Sequence, residues 1–307
     1  RRQRQMCIRD RDNPTFNESD MYRITVDDLP LQQDSQARPL GEILNEMNQY
    51  VGMASVKDMI RRLAVQSMFM KQRAEKGVGG VQQMCMNFIL TGNPGTGKTT
   101  ISRMMGDVLL SIGVLPTNRI VEASRATLVG KYMGETPKIV NNMCDRAMGG
   151  ILFIDEAYTL CAENDQYGKE AIDTLMKRME DDRGKFVVIA AGYKEKMSQF
   201  MNVNPGLASR FTHKMHIDDY TETELLEIFK SMATKDQYIL SPEAEMRLST
   251  IIMRKVLNKN ENFGNAREMR NMLDSTIQHL SMRVASMSPE HITKETYQLI
   301  LPQDIEE

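Results

Sequence analysis

The chain has 307 residues, 26% of them charged, with 39 Lys or Arg against 41 Asp or Glu for a formal net charge of −2. That length accommodates two domains, each with its own core, and the balanced charge gives no overall pull toward nucleic acid, so a nucleic-acid partner is not expected. No apolar run reaches the roughly 20 residues of a membrane helix, and Cys7, Cys85, Cys144 and Cys161 are scattered without a C-x-x-C pair; the expectation is a cytoplasmic protein with free thiols and no membrane contact.

The first twelve residues alternate basic and acidic side chains, unlike an acid-poor transit peptide. Arg23-Ile24-Thr25-Val26-Asp27-Asp28-Leu29-Pro30 echoes His291-Ile292-Thr293-Lys294-Glu295-Thr296 near the other end. Residues 1–40 therefore read as an N-terminal extension and linker. They are either the tail of a preceding copy of the same module or a stretch with a chance likeness to one. From residue 41 to 76 apolar side chains recur at helical spacing, with a break at Val51-Gly52 and a stop at Gly77-Val78-Gly79-Gly80.

Residues 84–90 are apolar enough for a buried strand, and residues 100–110 carry a helical pattern. Between them Gly92-Asn93-Pro94-Gly95-Thr96-Gly97-Lys98-Thr99 fits G-x-x-x-x-G-K-[ST]. Glycines let such a loop curl so that successive N–H groups face a phosphate at the positive end of the next helix. On this reading Asn93, Pro94, Gly95, Thr96, Gly97, Lys98, Thr99 and Thr100 contact a nucleotide. Lys98 reaches its terminal phosphates and the Thr99 hydroxyl ligates Mg²⁺. The competing reading is a glycine-rich turn that happens to precede a helix.

A short strand is expected at 119–122 and a helix at 137–148. Then comes Gly149-Gly150-Ile151-Leu152-Phe153-Ile154-Asp155-Glu156, four consecutive apolar residues followed by two carboxylates. Such a run is a strand buried on both faces, and acids at its carboxyl end sit where α/β sheets bind ligands. Asp155 is expected to hold Mg²⁺ and Glu156 to polarise the attacking water; the alternative is a pair of helix-capping acids. A helix over 167–181 and an apolar strand over 186–193 continue the alternation, which implies a doubly wound parallel sheet of the P-loop NTPase kind. Past Thr221 only helices are expected, at 222–234, 242–257 and 265–285. The expected division is a nucleotide-binding α/β domain over 41–220 and a small all-helical domain over 221–307. His213 and His216 fall on an expected strand, where a lone pair of histidines is structural more often than metal-binding.

With both phosphate motifs and a trailing helical domain, the chain resembles AAA+ ATPases, and more narrowly the CbxX/CfqX family, which includes the red-type Rubisco activases. The residues that carry the resemblance are Leu90 to Thr100, Leu128 to Thr136, Ala147 to Tyr158 and Asn204 to Phe211. It implies ATP as the nucleotide, a homo-oligomeric ring, usually a hexamer, and a protein client. It places Tyr132, flanked by Lys131 and Met133, as the pore-loop grip on that client. It also assigns Arg210 as the arginine finger reaching a neighbouring subunit's phosphates, Arg267 as the second-sensor arginine with Arg270 one turn on, and Val51-Gly52 as the wall of the adenine pocket. Tyr193 stands where many AAA+ proteins carry a water-orienting asparagine, which leaves that role unassigned. The leading expectation is an ATPase that threads or remodels a polypeptide. The alternatives are a nucleotide-gated assembly scaffold, Rubisco as the specific client, and a helicase or clamp loader, the last disfavoured by the charge.

Overall fold

The computed structural model describes residues 37–78, 86–162, 165–260 and 263–306. The expected extension up to residue 36, with its echo of the C-terminal segment and with Cys7, lies outside the described residues, as do Gly79, Gly80, Met84 and Cys85.

Two helices come first, α1 (Leu40–Gln49) and α2 (Ala54–Glu75). They are separated at the expected break by a turn in which Gly52 (φ 68°) and Met53 (φ 57°) both take left-handed backbone. Five strands follow: β1 (Phe88–Thr91), β2 (Ile120–Ala123), β3 (Ile151–Ile154), β4 (Val187–Gly192) and β5 (His213–His216). They form one sheet in the order β2-β3-β4-β1-β5, with every neighbouring pair parallel. Parallel neighbours need crossovers, and these are supplied by α3 (Lys98–Ser111), α4 (Arg125–Leu128), α5 (Thr136–Ala147), α6 (Gln166–Asp181), α7 (Lys194–Val203) and α8 (Pro205–Arg210).

Helices on both faces explain why β3 and β4 read as unbroken apolar runs. Leu152 and Ile154 pack on one face with Val140, Ile172, Leu175 and Phe200. Ile151 and Phe153 pack on the other with Ile43, Ile60, Ile101 and Val108. Alternate side chains of one strand thus feed two cores. Because β1 lies between β4 and β5, the chain leaves β1 for the far edge and returns through β3 and β4. The carboxyl ends of β1, β3 and β4 meet at that reversal, the usual ligand crevice of such sheets.

Beyond Thr221, α9 (Glu222–Lys235), α10 (Pro242–Leu257), α11 (Ala266–Ala285) and the short α12 (Lys294–Gln298) enclose a separate core that includes Leu225, Phe229, Leu248, Ile252 and Leu273. Their starts are well marked: Thr221 and Glu224 form a reciprocal capping box, and Ser241 accepts the Ala244 N–H at 3.1 Å just before Pro242. The structure adds a two-residue parallel pair, β6 (Ile239–Leu240) with β7 (Leu299–Ile300), segments too short to show alternation in a sequence.

One ion pair closes this helical unit. Arg283 Nε and Nη2 donate to the two oxygens of Asp304 at 2.8 and 2.9 Å, and Asp304, 1% exposed, also accepts the Leu301 N–H at 2.8 Å. Removing one partner strands the other charge, so Arg283→Ala is expected to cost about 3–5 kcal/mol. Urea unfolding followed by circular dichroism reads this as a lower midpoint; an unchanged midpoint would mean the pair contributes nothing.

Among the described residues, no helix is long and apolar enough to cross a membrane. Cys144 and Cys161 are free thiols, each pushed up by burial to about 11, so neither is a reactive thiolate near neutrality. His213 stacks against Phe88 at 5.0 Å, and His216 Nδ1 lies 2.9 Å from Thr91 Oγ1.

Candidate active site

The loop between β1 and α3 turns twice through left-handed backbone, at Gly95 (φ 68°) and Gly97 (φ 94°). A side chain at Gly95 has nowhere to go, because its Cβ would strike Gly264 O and lie 2.8 Å from Arg267 N. The buried Thr96 hydroxyl donates to Asn93 O at 2.8 Å and fixes the curl from inside. The first turn of α3, with Lys98, Thr99 and Thr100, then presents free backbone N–H groups toward the sheet's carboxyl edge. Lys98 Nζ donates to Gly92 O at 2.8 Å and Asn93 O at 2.9 Å. Burial pushes its ammonium down from the ordinary lysine value, with the Asp155 and Glu156 carboxylates opposing that shift.

Across the crevice, β3 delivers the two acids. The Asp155 N–H donates to Ala123 O at 2.9 Å, extending the β2–β3 ladder by one residue, and Asp155 Oδ1 accepts the Glu156 N–H at 3.0 Å. Glu156 has φ 48°, a left-handed backbone uncommon outside glycine, which the Thr159 hydroxyl supports by donating to its carbonyl at 2.7 Å. Burial raises the Tyr158 phenol, and the negative charge of the Glu156 carboxylate raises it further.

At the end of β4, Tyr193 enters the site, its ring centroid 5.7 Å from both the Tyr158 ring and Lys98 Nζ. Lys196 Nζ sits over both rings, at 4.8 Å from Tyr158 and 5.2 Å from Tyr193. Two cations against two aromatic faces hold this wall. Sequence reasoning missed Tyr158 and Lys196, which do not line the cleft themselves but pack against Tyr193. Tyr158 is two positions after Glu156 in the quoted motif, but Lys196 carries no motif signal.

These elements enclose a cleft of about 890 Å³, within the usual range for ligand sites. Of the expected residues, Val51, Pro94, Gly95, Gly97, Lys98, Thr99, Thr100, Asp155, Glu156 and Arg267 line it, with Arg270 beside Arg267 and Tyr193 at the rear. Tyr50, Met53, Ile228 and Met232 give the Val51 end an apolar lining suited to a base. The donor set fits Mg²⁺, a hard cation, because the Thr99 hydroxyl and the Asp155 carboxylate are oxygen ligands on the same cleft. Asn93, Thr96 and Gly52 do not line it. The Asn93 amide turns to Asp219 at 2.9 Å, the Thr96 hydroxyl turns into the loop, and Gly52 packs under Glu224 and Tyr220.

Arg210 and the Lys131–Met133 segment stand outside the cleft. Arg210 ends α8 at the surface, donating from Nε to Met176 O at 3.1 Å and from Nη1 to Gly206 O at 3.2 Å, with Glu180 at 3.4 Å. Tyr132 and Met133 are 71% and 90% exposed, on a loop braced from beneath. Glu135 Oε2 accepts the Lys131 and Tyr132 N–H groups at 3.0 and 3.1 Å, and Thr136 Oγ1 accepts the Gly130 N–H at 3.1 Å. Glu135 is therefore a supporting residue that sequence reasoning quoted without a role.

Comparison with known proteins agrees with this fold. Residues 88–219 match the family model for the ATPase family associated with various cellular activities (AAA), and residues 221–307 match the AAA lid domain. The chain is 40% identical over 247 residues to stage V sporulation protein K of Bacillus subtilis, covering 80% of this chain and 76% of that protein. It is 38% identical over 279 residues to a CfxQ homolog of Trieres chinensis and 36% over 278 residues to the chloroplastic ribulose bisphosphate carboxylase/oxygenase activase of Cyanidioschyzon merolae, each covering 90% of this chain and 94% of the relative. Among solved structures, the FIGL-1 AAA domain in complex with ADP superposes with a TM-score of 0.57 at 18% identity, over 83% of this chain and 80% of that one, a likeness of fold alone.

Proposed function

As a member of the CbxX/CfqX family of AAA ATPases the chain is an ATP hydrolase, and on that premise we propose that it works as a ring, a hexamer, whose Mg²⁺-dependent hydrolysis at subunit seams draws a protein client through the central pore. Residues 41–220 serve as the motor domain and 221–307 as the lid. The observation that carries the threading part is the exposed Tyr132–Met133 pair on its braced loop. A glycine-flanked aromatic held out on a rigid base offers contact area to any passing peptide. Net charge −2 supports a polypeptide rather than a nucleic acid as the client.

Within the cleft Lys98 and the α3 N-terminus hold the phosphates, and Thr99 with Asp155 hold the magnesium ion, which offsets charge on the phosphate oxygens when bound. Glu156 takes the proton of the attacking water. Arg267, on the lid, contacts nucleotide across the hinge, and Arg210 of one copy completes the site of the next. Tyr193, backed by Tyr158, shapes the wall behind the water. One relative is named for sporulation and another for Rubisco activation. The client is accordingly defined here by its chemistry, an extended polypeptide, with Rubisco as one specific instance.

The test is Tyr132→Ala. Basal ATP turnover is expected to stay within about twofold of wild type, because the residue lies outside the cleft, while stimulation by an unfolded polypeptide is lost. If the variant is stimulated as strongly as wild type, threading through this loop is wrong. If wild type itself shows no stimulation by any polypeptide, a nucleotide-gated scaffold is the better reading.

A further inference from the structure

The segment leaving β5 for the lid carries a carboxylate that faces both domains at once. On the phosphate-loop side, Asn93 Nδ2 donates to Asp219 Oδ1 at 2.9 Å and Oδ2 at 3.1 Å. On the lid side, Asn265 Nδ2 donates to Oδ1 at 2.9 Å and Lys259 Nζ to Oδ2 at 3.3 Å. Asn265 is fully buried and extends the network. Its Nδ2 also reaches Pro94 O at 3.2 Å, and its Oδ1 accepts the Tyr220 N–H at 3.1 Å. Beside it the Ala266 N–H donates to Gly95 O at 3.2 Å and the Tyr220 hydroxyl to Thr96 O at 3.2 Å. Residues 93 to 96 are thus each tied to the hinge or the lid by a hydrogen bond.

Two further features mark this node. Asn265 holds φ 46° at the very start of α11, a conformation that costs energy in a non-glycine residue and persists because its amide is fully engaged. Burial pushes the Asp219 carboxyl up, yet the bonds from Asn265, Asn93 and Lys259 outweigh that and hold it below the usual carboxylate range. The group stays ionised and accepts from three donors at once, which a neutral amide with a single oxygen cannot do.

We propose that Asp219, linked to Asn93 and Asn265, is the positioning residue through which the phosphate loop sets the lid, a coupling separate from that of Arg267. The inference rests on the reading that ATP binds in this cleft. Lys98 Nζ donates to Asn93 O; a phosphate oxygen competes for that ammonium as a charged acceptor and wins over a neutral carbonyl. With that bond gone, Asn93 O keeps only the Thr96 hydroxyl at 2.8 Å; the balance of pulls on Asn93 shifts, and its side-chain amide passes the shift to Asp219 and on to the first residues of α11. Lys98, Asn93, Asp219 and Asn265 form a contiguous network, and a bound phosphate would give it the second arrangement that coupling requires.

Hydrogen exchange on the full chain, with and without ADP and magnesium, tests it. In wild type, nucleotide is expected to slow exchange both in residues 92–100 and in residues 266–270. In Asp219→Asn, and independently in Asn93→Ala, slowing in the loop is retained while slowing at 266–270 falls about fivefold or more, the lower end of usual coupling factors. Asn93→Ala leaves Asp219 paired with Asn265 and Lys259, so the test stands even if Asp219→Asn fails to fold. Wild-type slowing at 266–270 in Asn93→Ala overturns the proposal. Loss of slowing in both segments also overturns it, since the residue then belongs to nucleotide binding. No slowing in the wild-type loop overturns the ATP-site reading beneath it.

Discussion

Glu156→Gln is expected to bind ATP within about threefold of the wild-type affinity and to hydrolyse it at least ~100-fold more slowly, the loss typical when a general base is removed. Glutamine keeps the shape of the side chain but cannot accept a proton. The surroundings argue that this carboxylate is held for a purpose. It lines the cleft with Lys98, its backbone sits at φ 48°, and the Thr159 hydroxyl anchors its carbonyl. Strained backbone maintained by its surroundings is a mark of working positions. Phosphate release and fluorescent-nucleotide titration read the two quantities separately. A variant that turns over at near the wild-type rate would place the base elsewhere, with Asp155 the adjacent carboxylate on the same cleft.

Arg210→Ala is expected to lower turnover by about 10³-fold, the low end of what a transition-state arginine supplies, with nucleotide affinity little changed. Arg210 does not line the cleft of its own chain, so charge stabilisation by it has to act on another copy's phosphates. To reach a neighbouring copy its side chain has to leave Met176 O, Gly206 O and Glu180. Glu180 is 58% exposed at 3.4 Å, and an exposed pair of that kind contributes about 0.2–1 kcal/mol. Arg210→Lys is expected to recover little, because an ammonium lacks the planar fork that meets two phosphate oxygens. Were Arg210 only structural, its loss would lower the unfolding midpoint and leave turnover near normal.

Much of this molecule was legible because its chemistry is local. The phosphate loop, the Ile151–Ile154 strand with its two acids and the helix starts at Thr221 and Ser241 are each specified by a few adjacent residues. What was not legible depends on residues far apart in the chain. Asp219, Tyr220 and Asn265 carry no motif by themselves and acquire meaning only when the fold brings them against Asn93, Pro94 and Thr96. The same holds for Lys196, which has to be seen over Tyr158 and Tyr193 to count as part of the wall. The motif expects Asn93 and Thr96 to meet the nucleotide through the N–H groups of the loop. Their side chains face the hinge and the loop interior, because a tight turn uses alternate side chains to brace itself while its N–H groups face the ligand.

The claim on which the account stands is that each active site is shared between two copies of the chain. Phosphate release from a mixture of Lys98→Ala and Arg210→Ala subunits tests it most directly. Each variant alone is expected to be inactive, the first for lack of bound nucleotide and the second for lack of the neighbouring arginine. Mixed before assembly in equal amounts, they form seams in which an intact Lys98 cleft meets an intact Arg210, about a quarter of all seams under random assembly around a head-to-tail ring. The account predicts that turnover reappears in the mixture at a substantial fraction of the wild-type rate; a mixture as inactive as its two components would contradict it.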